Sequence, residues 1–256
     1  MRAKALVCLT PAESRRLIAK GVTALPEVRN ALAHGRVVIA VGTTNTYVAE
    51  EILGQPMPRG PFVAGFVGPQ GLWETPPDIR MHPVVLIRGE RVDRRPREVL
   101  EEFEAGDVFI KGANAVDPAG LAGIFLGGAS GGTIGLAIGY LAARGAHLVV
   151  PVGLEKLVPS VARAAGRMGS AAVEMATGEP VGLMPLVGAR VVTEIEALAV
   201  LTGVDAIHVG SGGVGGAEGA VTLLLEGERD RVEAAFSLVK SLKGEPAFPL
   251  PPARER

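Results

Sequence analysis

The stretch PAGLAGIFLGGASGGTIGLAIGYLAA, Pro118 to Ala143, decides how the chain folds. It carries no charge from end to end and, as one helix, would be long enough to span a bilayer. Eight glycines argue against one helix. The first half reads as a strand, Ala122 to Leu126, followed by the turn Gly127-Gly128-Ala129-Ser130-Gly131-Gly132-Thr133. Only Ile134 to Ala143 reads as a helix. A buried strand, a tight glycine turn and a buried helix form one α/β unit.

The same order recurs on both sides. Arg36 to Val41 is a β-branched run that ends in Gly42-Thr43-Thr44-Asn45-Thr46, with a helix from Tyr47 to Leu53. Val84 to Arg88 and Asp107 to Lys111 read as strands, the second followed by Gly112-Ala113-Asn114-Ala115-Val116-Asp117. His147 to Val152 is a further strand, leading to Gly153-Leu154-Glu155-Lys156. Thr10-Pro11-Ala12-Glu13 combines a cap, a first-turn proline and a capping-box glutamate, so a helix starts there. Further helices are expected over Pro26 to Ala33, Pro96 to Glu104 and Val158 to Ala176, and residues 54–83 read as loop with short strands. Strands alternating with helices predict a Rossmann-like, mainly parallel sheet with helices on both faces.

Past residue 176 the texture changes. Residues 177–188 are broken by Gly and Pro and read as a linker. Residues 189–246 read as strand, helix, strand, strand, helix, a small ferredoxin-like α+β domain. The expected organisation is an α/β domain over 1–176, the linker, the small domain and a mobile tail over 247–256.

Composition narrows the function. The 256 residues hold 48% hydrophobic and 21% charged residues, which excludes a disordered chain and fits one or two domains. The formal net charge of −1 lacks the basic surplus of a nucleic-acid binder. One cysteine, Cys8, excludes an internal disulfide framework, and the four histidines show no metal spacing. No cofactor and no metal are implied. The N-terminal apolar run is too short for a signal peptide, so a soluble, cytoplasmic protein is expected.

In a parallel sheet the ligand crevice lies beyond the carboxyl ends of the strands. Four expected strand ends carry turns with Gly, Asn, Thr or Lys. Gly42 to Thr46 reads as an anion cradle or as an ordinary helix cap. Gly128-x-Ser130-x-Gly132 matches the nucleophile elbow of serine hydrolases, but reads better as an anion-binding turn or as a turn that packs a helix. A hydrolase would also need an acid and a histidine. Asp205 and His208 lie three apart on one strand and so face opposite sides, and His147 starts a strand at the wrong end of the sheet. Gly210 to Gly215 is formally GxGxxG, but a strand follows it, so a hairpin loop fits better. Lys111 and Lys156 at strand ends suit a phosphate or carboxylate, or are surface lysines with buried stems.

In this order the turns resemble the ribose-5-phosphate isomerase A superfamily. Its relatives include the sugar-binding domain of DeoR-type regulators, glucosamine-6-phosphate deaminase and CoA-transferase-like folds. Val41 to Thr46 stands where the isomerase has GxGTGST, and Lys111 to Ala115 where it has DGADE. Leu126 to Gly131 stands for its KGGGGA, and Gly153 to Lys156 for its DESK. The resemblance covers about Gly35 to Val158 and implies a small second domain as well.

The departures fall on the chemistry. Lys111 and Asn114 replace the two aspartates of DGAD, and Leu126 replaces the lysine of KGGGGA. The following helix has no carboxylate at all. Leu and Asn cannot exchange a proton as the isomerase mechanism requires, so the resemblance implies an anion site without the isomerase catalyst. Gly42, Thr43, Thr44, Asn45, Gly128, Ser130, Gly131 and Lys156 are the expected anion-binding residues. Lys111, Asn114 and Asp117 are the catalytic candidates: a desolvated Lys111 could act as base or nucleophile, and Asp117 could pair with it. The expectation is a protein that binds a small phosphorylated or anionic metabolite, with an isomerase- or transferase-type reaction at Lys111. A non-catalytic ligand-binding or assembly protein, and a serine hydrolase using Ser130, are the alternatives. A homo-oligomer is expected, without nucleic-acid or membrane partners.

Overall fold

A computed structural model describes residues 1–253. The chain opens with β1 (Arg2–Leu9) and α1 (Pro11–Ala24), whose capping box is formed between Thr10 and Glu13. Next come α2 (Pro26–His34), β2 (Arg36–Ile39) and α3 (Thr43–Leu53). Two hairpins follow, β3 (Gly65–Gly68) with β4 (Gly71–Glu74) and β5 (Val84–Ile87) with β6 (Glu90–Val92). The middle of the chain holds α4 (Pro96–Leu100), β7 (Val108–Ile110), β8 (Ala115–Val116), β9 (Ala122–Leu126) and α5 (Gly132–Arg144). After β10 (His147–Pro151) a 3-10 turn covers Leu154–Lys156, and α6 (Val161–Ala165) follows. The last elements are β11 (Gly182–Leu186), β12 (Arg190–Val192), α7 (Glu194–Thr202), β13 (Asp205–Ser211), β14 (Val221–Glu228) and α8 (Arg229–Ser241).

The fold is α/β. Its centre is a six-stranded sheet in the order β12-β10-β7-β2-β5-β6. The first four strands run parallel, and β5 and β6 add an antiparallel edge. Alternate residues of the strands enter different cores, as a sheet covered on both faces requires. Val37, Ile39 and Val149 pack with Leu17, Ile18, Tyr47 and Leu198 from α1, α3 and α7. Val38, Phe109, Leu148 and Val150 pack with Leu100, Ile134 and Leu141 from α4 and α5.

Ala122 to Leu126 is a strand as expected, but it stands outside this sheet. It pairs antiparallel with β8 and β11 in a separate three-stranded sheet. The cause is chain length. Eleven residues without a helix separate Ile110 from Ala122, whereas a parallel neighbour needs a crossover of a dozen or more. The chain turns back at once, and Asp117 closes the turn by accepting the Ala119 and Leu121 N–H groups at 3.1 and 3.0 Å.

Residues 189–246 do not form a sheet of their own. β12 joins the six-stranded sheet, while β13 and β14 take β1 as their third strand. β1 and β14 pair antiparallel from Arg2↔Glu228 to Leu9↔Val221. Val7, Leu223 and Leu225 of this small sheet enter the same core as Val37 and Ile39. Residues 177–188 contain β11 and a close crossing with β4. The Leu72 N–H donates to Thr177 O at 3.0 Å, and the Glu179 N–H donates to Leu72 O at 2.8 Å. Gly71 and Gly178, both at positive φ, permit the crossing, since a Cβ on either would strike the opposite backbone.

The helix expected over 158–176 is confined to α6. Of the expected tail, residues 247–253 are described, and the Phe248 ring packs tilted against Tyr47, with centroids 6.1 Å apart. Residues 254–256 lie outside the described residues. Among the described residues no helix is long and apolar enough to cross a membrane.

Candidate functional site

β2, β7 and β10 are parallel, and beyond their carboxyl ends, from Gly42, Lys111 and Lys156, a cavity of about 440 Å³ opens. The floor follows from local rules. β7 runs one residue further as a ladder, with the Lys111 N–H donating to Val149 O at 3.0 Å. This places the Lys111 side chain at the strand end, in the cavity wall. The 3-10 turn after β10 brings Lys156 to the same wall.

Two helices begin at this cavity. Gly42, Thr43 and Thr44 line it at the N-terminus of α3, and Gly131, Gly132 and Thr133 at the N-terminus of α5. Neither helix has a side-chain cap hydrogen bond. Gly131, at φ 77°, turns the chain into α5 in the left-handed region. Helix N-termini present free N–H groups and positive dipole ends, so both favour an anion here.

The two lysines add to that field. Lys111 Nζ donates to Gly112 O at 3.3 Å, and Lys156 Nζ to Ala113 O at 2.9 Å. Neither forms an ion pair with a carboxylate among the described residues. Both keep some accessible surface because they form cavity wall, yet each amine sits deep among protein atoms. Loss of water, together with the charge of Lys156, pulls Lys111 down to about 8. Lys156 is also lowered, chiefly by loss of water, with Arg15 acting in the same direction and Glu155 and Glu194 against it.

The expected site residues divide into two groups. Gly42, Thr43, Thr44, Lys111, Asn114, Gly128, Gly131 and Lys156 all line the cavity. Asn114 is braced there, its Oδ1 accepting the Phe125 N–H at 3.0 Å. Asn45 is fully buried behind the wall instead. Its Nδ2 donates to Ala40 O at 2.6 Å and Ile110 O at 3.1 Å, tying α3 to the ends of β2 and β7. Asp117 is committed to backbone, accepting the Val161 N–H at 2.9 Å as well as closing the β8–β9 turn. Ser130 is exposed and is not among the lining residues; glycine backbone faces the cavity at that turn.

No hydrogen bond joins Ser130 to a histidine among the described residues. His208 Nε2 lies 2.8 Å from Ser211 Oγ, in the β1-β14-β13 sheet. No group of three or more His, Cys, Asp or Glu that could hold a metal occurs among the described residues.

Several lining residues escaped the sequence reading. The β3–β4 hairpin supplies Phe66, Trp73 and Glu74, and Arg80 follows it. Arg80 is engaged with Glu74 at 3.3 Å and with Thr75 O at 2.6 Å. The signal available was the lone tryptophan within GLWE, an alternating apolar pattern in a segment otherwise rich in Gly and Pro. Glu194 stands behind the 3-10 turn, fully buried, its Oε2 accepting the Leu154 N–H at 3.0 Å. Burial pushes this carboxyl up to about 7 against the pull of that hydrogen bond. Comparison with protein-family models, curated proteins and solved structures finds no match to the chain.

Proposed function

We propose that the cavity binds a small metabolite carrying a phosphate or carboxylate. One observation carries the reading: two lysines share a cavity wall with two uncapped helix N-termini, and no carboxylate pairs with either lysine among the described residues. Placing two cations close together away from water is unfavourable unless something anionic joins them. An anion at this place would gain the lysines and both helix dipoles at once.

Lys156 and the Gly42 to Thr44 and Gly128 to Gly132 backbone are assigned to the anion. Lys111 and Asn114 are assigned to the rest of the ligand, and Phe66 and Trp73 offer it an apolar wall. In finer terms, the parallel strands are read as a Rossmann-like unit, related to the isomerase-like superfamily in its anion turns but not in its acid–base residues.

Trp73 is the only tryptophan in the chain and lines the cavity, so its emission reports occupancy directly. Titration with inorganic phosphate, a sugar phosphate and a simple carboxylate is expected to change that emission saturably and to raise the melting temperature. Lys156→Met is expected to shift both responses to roughly 10- to 150-fold higher anion concentration. If no anion moves the emission or the melting temperature of the wild-type protein, the reading is wrong.

A further inference from the structure

The cavity holds two lysines where one anion needs only one. A lysine that acts as a nucleophile needs a free electron pair, open space before its nitrogen, and no acid that keeps it protonated. Lys111 meets each condition. It lines a cavity of about 440 Å³, so a small molecule can reach it. Its one hydrogen bond is long, 3.3 Å to Gly112 O, and no carboxylate pairs with it among the described residues. The two acids nearest in sequence are both committed elsewhere: Asp107 to Arg36 and the Glu104 N–H, and Asp117 to three backbone N–H groups. Burial, helped by the neighbouring charge of Lys156, disfavours the ammonium and leaves Lys111 at about 8, well below an ordinary lysine.

We propose that Lys111 forms an imine with its ligand, which is therefore an aldehyde or ketone that also carries the phosphate or carboxylate. This rests on the anion-binding reading, since the anion on Lys156 and the helix N-termini is what brings the carbonyl to Lys111. The Lys111 nitrogen attacks the carbonyl carbon through its lone pair, and the carbonyl π electrons move to oxygen. The nitrogen lone pair then expels that oxygen, which departs with both amine protons as water. One C=N bond and one water replace one C=O bond and two N–H bonds, and nothing is oxidised or reduced.

The test uses the full-length wild-type protein with dihydroxyacetone phosphate in one arm and pyruvate in the other, each with sodium cyanoborohydride. Reduction fixes the imine as a secondary amine, heavier than the protein by the carbonyl compound's mass less one oxygen. Peptide mapping is expected to place the adduct on Lys111 in at least one arm, with labelling there suppressed by excess inorganic phosphate. The arm that labels distinguishes a phosphate from a carboxylate ligand. Trp73 emission is followed in the same samples. A saturable change in emission with no adduct enriched at Lys111 would overturn the imine and leave anion binding standing. No change in emission and no enriched adduct would overturn both. Adducts spread evenly over surface lysines, insensitive to phosphate, would also overturn the imine.

Discussion

Arg16 and Lys111 are both cations drawn partly out of water, and the molecule treats them in opposite ways. Arg16 lies against Glu50 at 2.6 Å, Glu51 at 3.0 Å and Glu245 at 3.1 Å. Arg59 shares Glu50 and Glu245, and both guanidiniums stack on Tyr47 at 4.7 and 4.6 Å. Burial alone would lower Arg16, but the Glu245, Glu50 and Glu51 carboxylates outweigh it and hold the charge firmly. At Lys111 burial acts without such a partner, and the neighbouring charge has the same sign. The first region is a clamp, binding α1, α3 and the chain after α8 into one body. The second has no carboxylate ion pair among the described residues, which lowers stability and is the feature on which the proposed anion site rests.

The contrast predicts opposite signs for removal of a cation. Arg16→Met leaves three carboxylates crowded around Arg59 and Lys20. It is expected to cost about 3 kcal/mol, lowering the melting temperature by roughly 6–12 °C in a chain of this size. Thermal and denaturant unfolding measure this, and an unchanged midpoint would dissolve the clamp half of the contrast. Lys156→Met should leave the unliganded protein as stable as before or more so. Its cost appears only in binding: about 1.5–3 kcal/mol of a charge-assisted contact, or roughly 10- to 150-fold in phosphate affinity. If Lys156→Met lowered stability as Arg16→Met does, Lys156 would belong to the framework and not to a ligand site.

The pH dependence of stability sharpens the difference further. Lys111 falls from 10.5 in the unfolded chain to about 8 in the fold. Between those values the unfolded chain holds a proton that the folded protein lacks, so this group makes stability rise with pH. Below pH 8 both states are protonated and the full cost of burying the ammonium is present. The slope from this one group is at most about 1.4 kcal/mol per pH unit. Denaturant unfolding of wild type and Lys111→Met across pH 7 to 10.5 isolates it, because the other alkaline groups are common to both. Curves that stay parallel would mean that Lys111 is solvated like a surface lysine.

What could be read from the sequence was what is local. The Thr10–Glu13 box, the β-branched runs of β2 and β10, and the lysines that follow β7 and β10 are written within a few residues of where they act. Pairing is not local. Arg2 to Leu9 alternates between exposed and buried faces with a charge at either of its first outward positions, so its role as partner of β14, over 200 residues away, has no nearby sign. The placement of β9 was decided by the lack of a crossover helix between Ile110 and Ala122, a length argument its apolar composition hides. Side-chain direction was the weakest inference. Asn45 and Ser130 sit in the right turns, but one bonds inward to the strand ends and the other stands exposed, while Gly42, Gly128 and Gly131 face the cavity with backbone. The β3–β4 hairpin was masked by its glycines and prolines, and with it Trp73.

Glu194 asks whether the cavity cations are truly unanswered, because its buried carboxyl accepts the N–H of Leu154, in the turn that carries Lys156. That hydrogen bond and the Ser14 hydroxyl beside the carboxyl both pull its pKa down, but burial outweighs them. Raised from 4.5 to about 7, the group holds a proton in the fold that it has lost in the unfolded chain between those values. Its contribution to stability is therefore complete below pH 4.5 and disappears as pH rises through 7. Glu194→Gln keeps an acceptor for Leu154 and never ionises, so it should flatten that decline and be the more stable protein at pH 8 by about 1 kcal/mol. Phosphate affinity measured at pH 6 should change by less than about twofold, since the native carboxyl is already neutral there. A large gain in phosphate affinity in Glu194→Gln at pH 6 would mean that an ionised Glu194 had been balancing Lys156. The cavity would then resemble the Arg16 clamp, and the distinction between the two regions would fail at its most buried residue.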